Sequence, residues 1–407
     1  MLILEWKNLY LIIKISFEGD IILKIKDVEV LLFEVELPGS YLSYKKGKTF
    51  RLQSSLVRLI TDQGIEGYCF AGGKAGASWP RWGGEAELIS TLLRSNLIGE
   101  DPFARQKIWN KMWYLYRKKY LNESIMGAID VAIWDIVAKS VGLPLYKFLG
   151  GYIDRVPAYA STLPGDHEED GLKDPESFAK FAKDCKKRGY RAFKIHPWED
   201  TSPEVDIETC RVVREEVGDD MILIFDPAGK YDRIQALKVG KALEKLNYHW
   251  FEDPVNQYDV TSYVELRKKL AIPICGCEIN QGILFSVADF ISRQAVDIIT
   301  VDVRMKGGIT PLLKIAALSE GFGVKMATHA ISYNPIMMAA NLHVAAAINN
   351  FELYECNLIH PNLPDNHNIG IKKPIDKIDS EGYIPLPSTP GLGIELDWQF
   401  IEKHKID

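Results

Sequence analysis

The sequence predicts an α/β fold, a (β/α)8 barrel of TIM type preceded by an N-terminal α+β capping domain. Three observations predict it. Asp226 in MILIFDP, Glu252 in YHWFEDP and Glu278 in IPICGCE each end a short apolar run and stand 26 residues apart, the length that one strand, one helix and two loops need. From Val156 onward strand-like and helix-like stretches alternate to the end of the eighth such run. The 407 residues hold a full barrel with room for a smaller domain.

The elements follow in order. Residues 1–24 open with MLILEWKNLYLIIKISFEGD, which lacks a basic segment ahead of the apolar run and a small-residue cleavage site, so it does not read as a signal peptide. Glu5, Lys7 and Lys14 interrupt it, so it is too short to span a bilayer. It reads as an extension, an extra strand, or the product of a start placed too early, and the expected location is the cytoplasm. Residues 25–150 form the α+β cap. IKDVEVLLFEVEL, TFRLQSSLVRLIT and GIEGYCFAGG alternate apolar and polar positions as strands of an antiparallel meander. From about residue 83 the period turns helical, and SIMGAIDVAIWDIVAKSVG places small and apolar residues on more than one face, as a buried helix does.

Residues 151–378 are assigned to the barrel. Its strands are VPAYAS, AFKIHPW, MILIFDP, HWFEDPV, IPICGCE, DIITVDV, VKMATH and FELYECN. The first long helix among them, DPESFAKFAKDCKKRG, has Asp174 as N-cap, Pro175 at its first position and Gly189 at its close. Residues 379–407, including the turn-rich SEGYIPLPSTPGLGIEL, are expected to return to the cap over the C-terminal mouth of the barrel.

Composition narrows the function. The chain is 47% hydrophobic and 26% charged with a net charge of −6, which argues against a nucleic-acid partner, since those proteins carry basic patches. The six cysteines form no CxxC pair and read as buried, reduced thiols. Cys275 and Cys277 are packing neighbours of Glu278, not metal ligands.

The strand ends carry the chemistry. A carboxylate ending an apolar strand is costly unless solvated, paired or bound to a cation. Three in register make an all-oxygen site for a hard divalent ion, most simply Mg²⁺, one per subunit. Other strand ends add ionisable groups. Lys194 and His196 lie two apart on the second strand and so share a face. Asp302 ends the sixth strand, His329 the seventh and Glu355 the eighth. Each alone is as easily a hydrogen-bonded core residue, but together they are too many buried charges to lack a purpose.

From residue 25 to about 395 the chain resembles the enolase superfamily, and within it the mandelate racemase subgroup. The resemblance rests on the Asp226, Glu252 and Glu278 triad, on Lys194-Ile195-His196, and on VDVRMKGGIT with Asp302 five residues before Gly307-Gly308. THA around His329 and AIDVAIWDIVAKSVGLPLYKFLGG leading into the barrel add to it. It implies the modified, enolase-like form of the barrel, a Mg²⁺ held by the triad, a small hydroxy-carboxylate substrate, no membrane partner, and a homo-oligomer between dimer and octamer. Asp302 stands where the muconate-lactonizing branch has Lys, and His196 stands where mandelate racemases have the second Lys of Lys-x-Lys. Neither of those particular activities is therefore expected.

Removing a proton α to a carboxylate builds a dianionic enediolate that a metal and nearby cations must stabilise; a Lys or His base with Mg²⁺ is the established pairing in this superfamily. In this chain Lys194 beside His196 is expected to keep the imidazole neutral and fit to act as base. Asp302 should hold His329 in one tautomer and stabilise its imidazolium, fitting it as proton donor. Glu355, if protonated, would hydrogen-bond the substrate carboxylate. The expected reaction is dehydration of an acid sugar, an aldonate or aldarate, to a 2-keto-3-deoxy acid. The alternative is racemisation or epimerisation of a 2-hydroxy acid through His196 and His329 on opposite faces. A non-catalytic, metal-stabilised binding protein would need a missing member of the set, and none is missing. Substrate contacts are sought in the 38–48 and 70–82 loops and beyond the second strand, at Tyr41, Tyr44, Lys45, Lys74, Trp79, Arg81 and Trp198.

Overall fold

The computed structural model describes residues 23–39, 44–75, 83–330, 333–363, 369–375 and 377–406. The chain begins with an antiparallel meander of β1 (Ile25–Pro38), β2 (Thr49–Thr61) and β3 (Glu66–Ala75), in that order across the sheet. Alternating burial along β2 gives the sheet one packed face. The helix Glu123–Ser140, whose N-cap Asn122 accepts from Ile125 N, is buried at every position from Ile125 to Ala138. It lies between sheet and barrel, which is why its sequence has no polar stripe. Gly67 lets β3 approach it: a Cβ there would come 2.0 Å from the Ala132 carbonyl oxygen. On the barrel side Asp130 accepts from the Thr310 N–H (2.8 Å) and hydroxyl (2.6 Å), capping the helix Ile309–Gly321.

Eight parallel strands follow: β4 (Arg155–Thr162), β5 (Ala192–Ile195), β6 (Ile222–Phe225), β7 (Trp250–Glu252), β8 (Ile274–Gly276), β9 (Ile298–Val301), β10 (Lys325–Thr328) and β11 (Tyr354–Ile359). From β4 to β10 each pairs with the next, β11 returns to β4, and between β10 and β11 an isolated parallel bridge, Met326 to Phe351 just before β11, completes the circle. All eight runs read from the sequence are strands. The helix Pro175–Lys187 carries its expected Asp174 cap, completed as a capping box by Ser177.

The barrel interior is built in layers. Tyr159, Ala192, Ile224, Trp250, Cys275, Ile298, Ala327 and Leu353, one from each strand or its approach, form one buried cluster, with the Tyr159 and Trp250 rings edge-to-face at 5.7 Å. Two residues further along seven of these strands stand Ser161, Lys194, Asp226, Glu252, Thr300, His329 and Glu355; on β8 the turn at Cys277 (φ 83°) brings in Glu278 instead. An apolar plug thus closes the barrel beneath a polar layer at the strand C-termini. All six cysteines are buried and free.

The C-terminal segment departs from expectation at its start. β12 (Tyr383–Pro385) pairs antiparallel with Arg155–Pro157, the N-terminal foot of β4 and not its mouth, because the bonding groups on that side of β4 are free only there. The chain then reaches the cap. Gly391 bridges to Pro144, Leu392 N donates to Asp135, and Lys405 pairs with Phe33 in β1. His343 ties this junction together, its Nε2–H donating to the Leu392 carbonyl while Nδ1 accepts from Tyr146 N.

Burial pushes the His343 imidazole down to about 4 from its ordinary 6.5. A neutral, buried histidine contributes stability that is whole above the unfolded pKa and is lost as pH falls from 6.5 toward 4, because the unfolded state takes up the proton first. His343→Gln can keep both hydrogen bonds without titrating. Between pH 7 and pH 5 the parent should lose roughly 2 kcal/mol more stability than the variant, measured by denaturant unfolding at the two pH values. Parallel pH profiles would contradict this.

Candidate active site

The mouth of the barrel gathers eight of the residues singled out above, six of them in this polar layer with His196 and Asp302 just beyond it, and loop geometry explains how. Ala228, Asp253 and Cys277, each beside one of the triad carboxylates, have φ of 51°, 33° and 83°. Non-glycine backbone in this region is held against strain and gathers at functional sites. Gly276 permits the close approach of neighbours there, since a Cβ would meet Tyr263 Cε1 at 2.8 Å and Asp253 Oδ1 at 2.9 Å.

Asp226, Glu252 and Glu278 each offer a carboxylate oxygen, all within 4.8 Å of one another. Asp226 Oδ1 accepts from Ala228 N at 2.8 Å. Glu252 Oε2 accepts from Trp250 Nε1 at 2.9 Å, while its fully buried Oε1 has no hydrogen-bond partner among the described residues. An orphaned oxygen on one of three convergent carboxylates is what a hard cation would satisfy, so the residues fit Mg²⁺. Burial, with the charges of Asp226, Glu355 and Glu278, pushes the Glu252 carboxyl up to about 7 against the pull of Lys194. Asp226, though buried, is held well below the usual carboxylate range by Lys194 and His196.

Lys194 is fully buried and sits among three carboxylates: Glu355 at 2.8 Å, Glu252 at 3.2 Å and Asp226 at 3.3 Å. Its burial disfavours the charge, but Glu252 and Glu355 more than compensate and raise its pKa well above the ordinary value. Lys194 is a fixed cation. Glu355 is correspondingly ionised: burial raises its pKa, but Lys194 and the two histidines lower it more. It accepts from Ala330 N at 2.6 Å. The protonated form of Glu355, the condition set for its hydrogen bond to a substrate carboxylate, is thus disfavoured.

The two histidines approach the triad from different members. His196 Nδ1 lies 2.8 Å from the Thr162 carbonyl oxygen, which can only accept, so Nδ1 carries a proton and Nε2 faces Asp226 at 3.0 Å. His329 Nδ1 lies 2.6 Å from Asp302, and its Nε2 faces Glu278 at 2.9 Å. Asp302 is held by Met305 N at 2.6 Å. Burial works against the imidazolium of His329, but Glu278 and Asp302 raise its pKa well above the usual value, as expected of a donor. For His196 the expected sign is reversed. Burial and Lys194 do lower its pKa, but the Asp226 carboxylate outweighs them and the net shift is upward. The strand spacing that put Lys194 beside His196 gave no sign that Asp226 would lie closer to the ring.

Two neighbours were missed. Ser161 in the polar layer has a buried hydroxyl without a partner among the described residues, and Asp253 is a buried acid whose burial and proximity to Glu278 and Asp226 push its pKa far up. The two-residue step from Tyr159 would have pointed to Ser161.

The cap meets the mouth side of the barrel. Tyr44 is buried and stacks on His360, just past β11, with ring centroids 4.3 Å apart. Lys46 pairs with Asp170 beyond β4 at 2.8 Å, and the Phe70 carbonyl accepts from Asn334 beyond β10 at 2.9 Å. Lys45 is exposed. Tyr41, Trp79 and Arg81 lie outside the described residues; Lys74 belongs to β3, and its side chain lies outside the description too. Trp198 differs from expectation. It is buried, packs edge-to-face on Phe178 and spends its indole N–H on the Asp166 carbonyl, because the chain turns inward after His196. It supports the loop at Asp166 instead of presenting a polar handle. No helix among the described residues is long and apolar enough to cross a membrane.

A capped eight-stranded barrel with three convergent carboxylates and two flanking histidines defines the enolase-like class. Residues 177–400 match the family described as enolase C-terminal domain-like, and residues 43–150 match the mandelate racemase/muconate lactonizing enzyme N-terminal domain. The chain belongs to the mandelate racemase subgroup of the enolase superfamily. It is 31% identical to an arabinonate dehydratase of Saccharolobus solfataricus over 78% of this chain and 82% of that protein. To a D-gluconate dehydratase of Thermoproteus tenax it is 27% identical, over 94% and 74%. The crystal structure of D-glucarate dehydratase from Agrobacterium tumefaciens, complexed with magnesium, superposes with a TM-score of 0.84 at 32% identity, covering 94% of this chain and 99% of that one.

Proposed function

We propose that the protein is a Mg²⁺-dependent hydro-lyase that dehydrates an acid sugar to a 2-keto-3-deoxy acid. The observation that carries the reading is the pair of differently partnered histidines, each aiming Nε2 at the carboxylate triad. The kinship with dehydratases of gluconate, arabinonate and glucarate supports the same reaction. Asp226, Glu252 and Glu278 would hold the ion, which when bound binds the substrate carboxylate and acidifies the α-proton.

The chain's own groups do the rest. Lys194, kept charged by its carboxylate partners, stabilises the negative charge that develops as the α-proton leaves. Its ammonium, held among three carboxylates, is assigned this role and not that of the base. His196, its Nδ1–H fixed on Thr162, offers Nε2 as the atom that takes the α-proton; the Asp226 charge that raises its pKa would be taken up by the ion. His329, its imidazolium favoured by Asp302, gives the Nε2 proton to the departing 3-hydroxyl. The C3–O bond breaks, water leaves, and the enol tautomerises to the ketone. Glu355 anchors Lys194 and the turn at Ala330. The Tyr44–His360 and Lys46–Asp170 contacts keep the cap over the mouth, where excluding water strengthens every charge interaction.

The test is a dehydration screen of aldonates and aldarates read by 2-keto acid formation, with α-proton exchange in D₂O followed in parallel. Turnover of at least one acid sugar to a 2-keto-3-deoxy acid is expected. Exchange with inversion at the α-carbon and no loss of water from any substrate would make the enzyme a racemase or epimerase instead.

A further inference from the structure

Lys306 is completely buried in the turn after β9, yet the described residues put no carboxylate within ion-pair distance of it. Its ammonium donates to the backbone carbonyl of Asn280 at 2.8 Å. A buried cation that gives up hydration for one carbonyl is costly, and a methionine or leucine would fill the space more cheaply. What it holds is the loop after β8, which carries Glu278. Residues 278–281 make no backbone–backbone hydrogen bond among the described residues, and the loop is flanked by Cys277 at φ 83° and Ile283 at φ 53°. Glu278 is also the most exposed of the triad, its side chain 19% accessible, with His329 Nε2 as its partner among the described residues.

Asn280 is where this loop is fastened. Its side-chain amide donates to the Gln257 carbonyl beyond β7, and its own carbonyl receives Lys306 from beyond β9 and a longer bond from Ser286 at 3.5 Å. The turn that presents Lys306 is itself folded on Asp302: Met305 N donates to the Asp302 carboxylate at 2.6 Å and Lys306 N to its carbonyl at 3.1 Å. One five-residue turn therefore sets both sides of the His329–Glu278 contact. Asp302 orients the imidazole, and Lys306 fixes the loop of the carboxylate it faces.

We infer that Lys306 is a positioning residue for the third metal ligand, setting metal affinity by fixing Glu278 through Asn280. The inference rests on the reading of Asp226, Glu252 and Glu278 as a Mg²⁺ site. Partners outside the coordination sphere that orient ligands typically affect metal affinity by about 10- to 100-fold.

The experiment compares the parent, Lys306→Met and Lys306→Gln, all metal-free at the start. Mg²⁺ binding is titrated calorimetrically, and thermal unfolding is followed with and without the ion. In Lys306→Met the Mg²⁺ Kd should rise by roughly 10-fold or more, with the melting temperature of the metal-free protein unchanged or higher, since an uncompensated buried charge has gone. Lys306→Gln, which keeps an N–H donor, should recover part of the affinity. In Lys306→Met, activity should return toward the parent's kcat as Mg²⁺ is raised. A parent-like Kd in both variants, or a loss of metal-free stability with affinity unchanged, overturns the inference. Absence of Mg²⁺ binding in the parent would instead refute the metal site on which it rests.

Discussion

Glu252→Gln is expected to abolish productive Mg²⁺ binding and lower kcat/KM by about 10³-fold or more, about 4 kcal/mol of transition-state stabilisation. The amide keeps the shape of the side chain and can still accept from Trp250 Nε1, but it removes the charge whose buried Oε1 has no hydrogen-bond partner among the described residues. The metal-free variant should be no less stable than the parent. Burial, together with the charges of Asp226, Glu355 and Glu278, already pushes the Glu252 carboxyl up to about 7, so neutralising it relieves both desolvation and repulsion, while Lys194 keeps Glu355 and Asp226 as partners. The checks are Mg²⁺ titration by calorimetry and melting curves with and without the ion. The parent should melt higher in Mg²⁺ and the variant should not respond. Saturable Mg²⁺ binding in Glu252→Gln at the parent's affinity would remove Glu252 from the site.

The strands and most of the polar layer were legible because two simple periods coincide. Parallel barrel strands are short and apolar on both faces, so the first ionisable residue to appear marks the C-terminal end. The repeat of one strand and one helix then sets Asp226, Glu252 and Glu278 side by side. What lay hidden depends on distances across the barrel, which no spacing along the chain encodes. Lys194 was read against its sequence neighbour His196, whereas the ring of His196 lies 3.0 Å from Asp226, and that contact reverses the expected direction of its titration. Glu355 was read alone, without Lys194 at 2.8 Å.

Loop residues were less legible still. Trp198 and Tyr44 looked like exposed contacts because they stand in polar surroundings, but Asp166, Phe178 and His360 come from elsewhere in the chain to bury them. Lys306 gave no signal at all. A lysine before a glycine pair reads as solvated until β8 and β9 bring it under Asn280.

His329→Asn should separate the two halves of the reaction. Dehydration is expected to fall by about 10³-fold, within the range general acid catalysis supplies, while α-proton exchange in D₂O persists through His196, provided exchange precedes departure of the hydroxyl. The two rings differ in what holds them. His329 leans on a carboxylate, Asp302 at 2.6 Å, and His196 on a neutral carbonyl, Thr162 at 2.8 Å; both Nε2 atoms face triad carboxylates, so the difference lies behind the ring, where Asp302 alone supplies a second charge that favours the imidazolium. Asp302→Asn tests that reasoning more finely. Asp302 accepts from both His329 Nδ1 and Met305 N, but an amide has one oxygen, and if it serves Met305 its N–H₂ faces Nδ1 and drives the ring to the opposite tautomer. Dehydration should then fall by about 10²-fold, less than for loss of the ring. His196→Asn should lose exchange and dehydration together. Parent-like turnover in His329→Asn, with exchange lost there and kept in His196→Asn, would exchange the two roles. Exchange retained on opposite stereochemical faces in the two variants, with no substrate losing water, would make the reaction a two-base proton transfer.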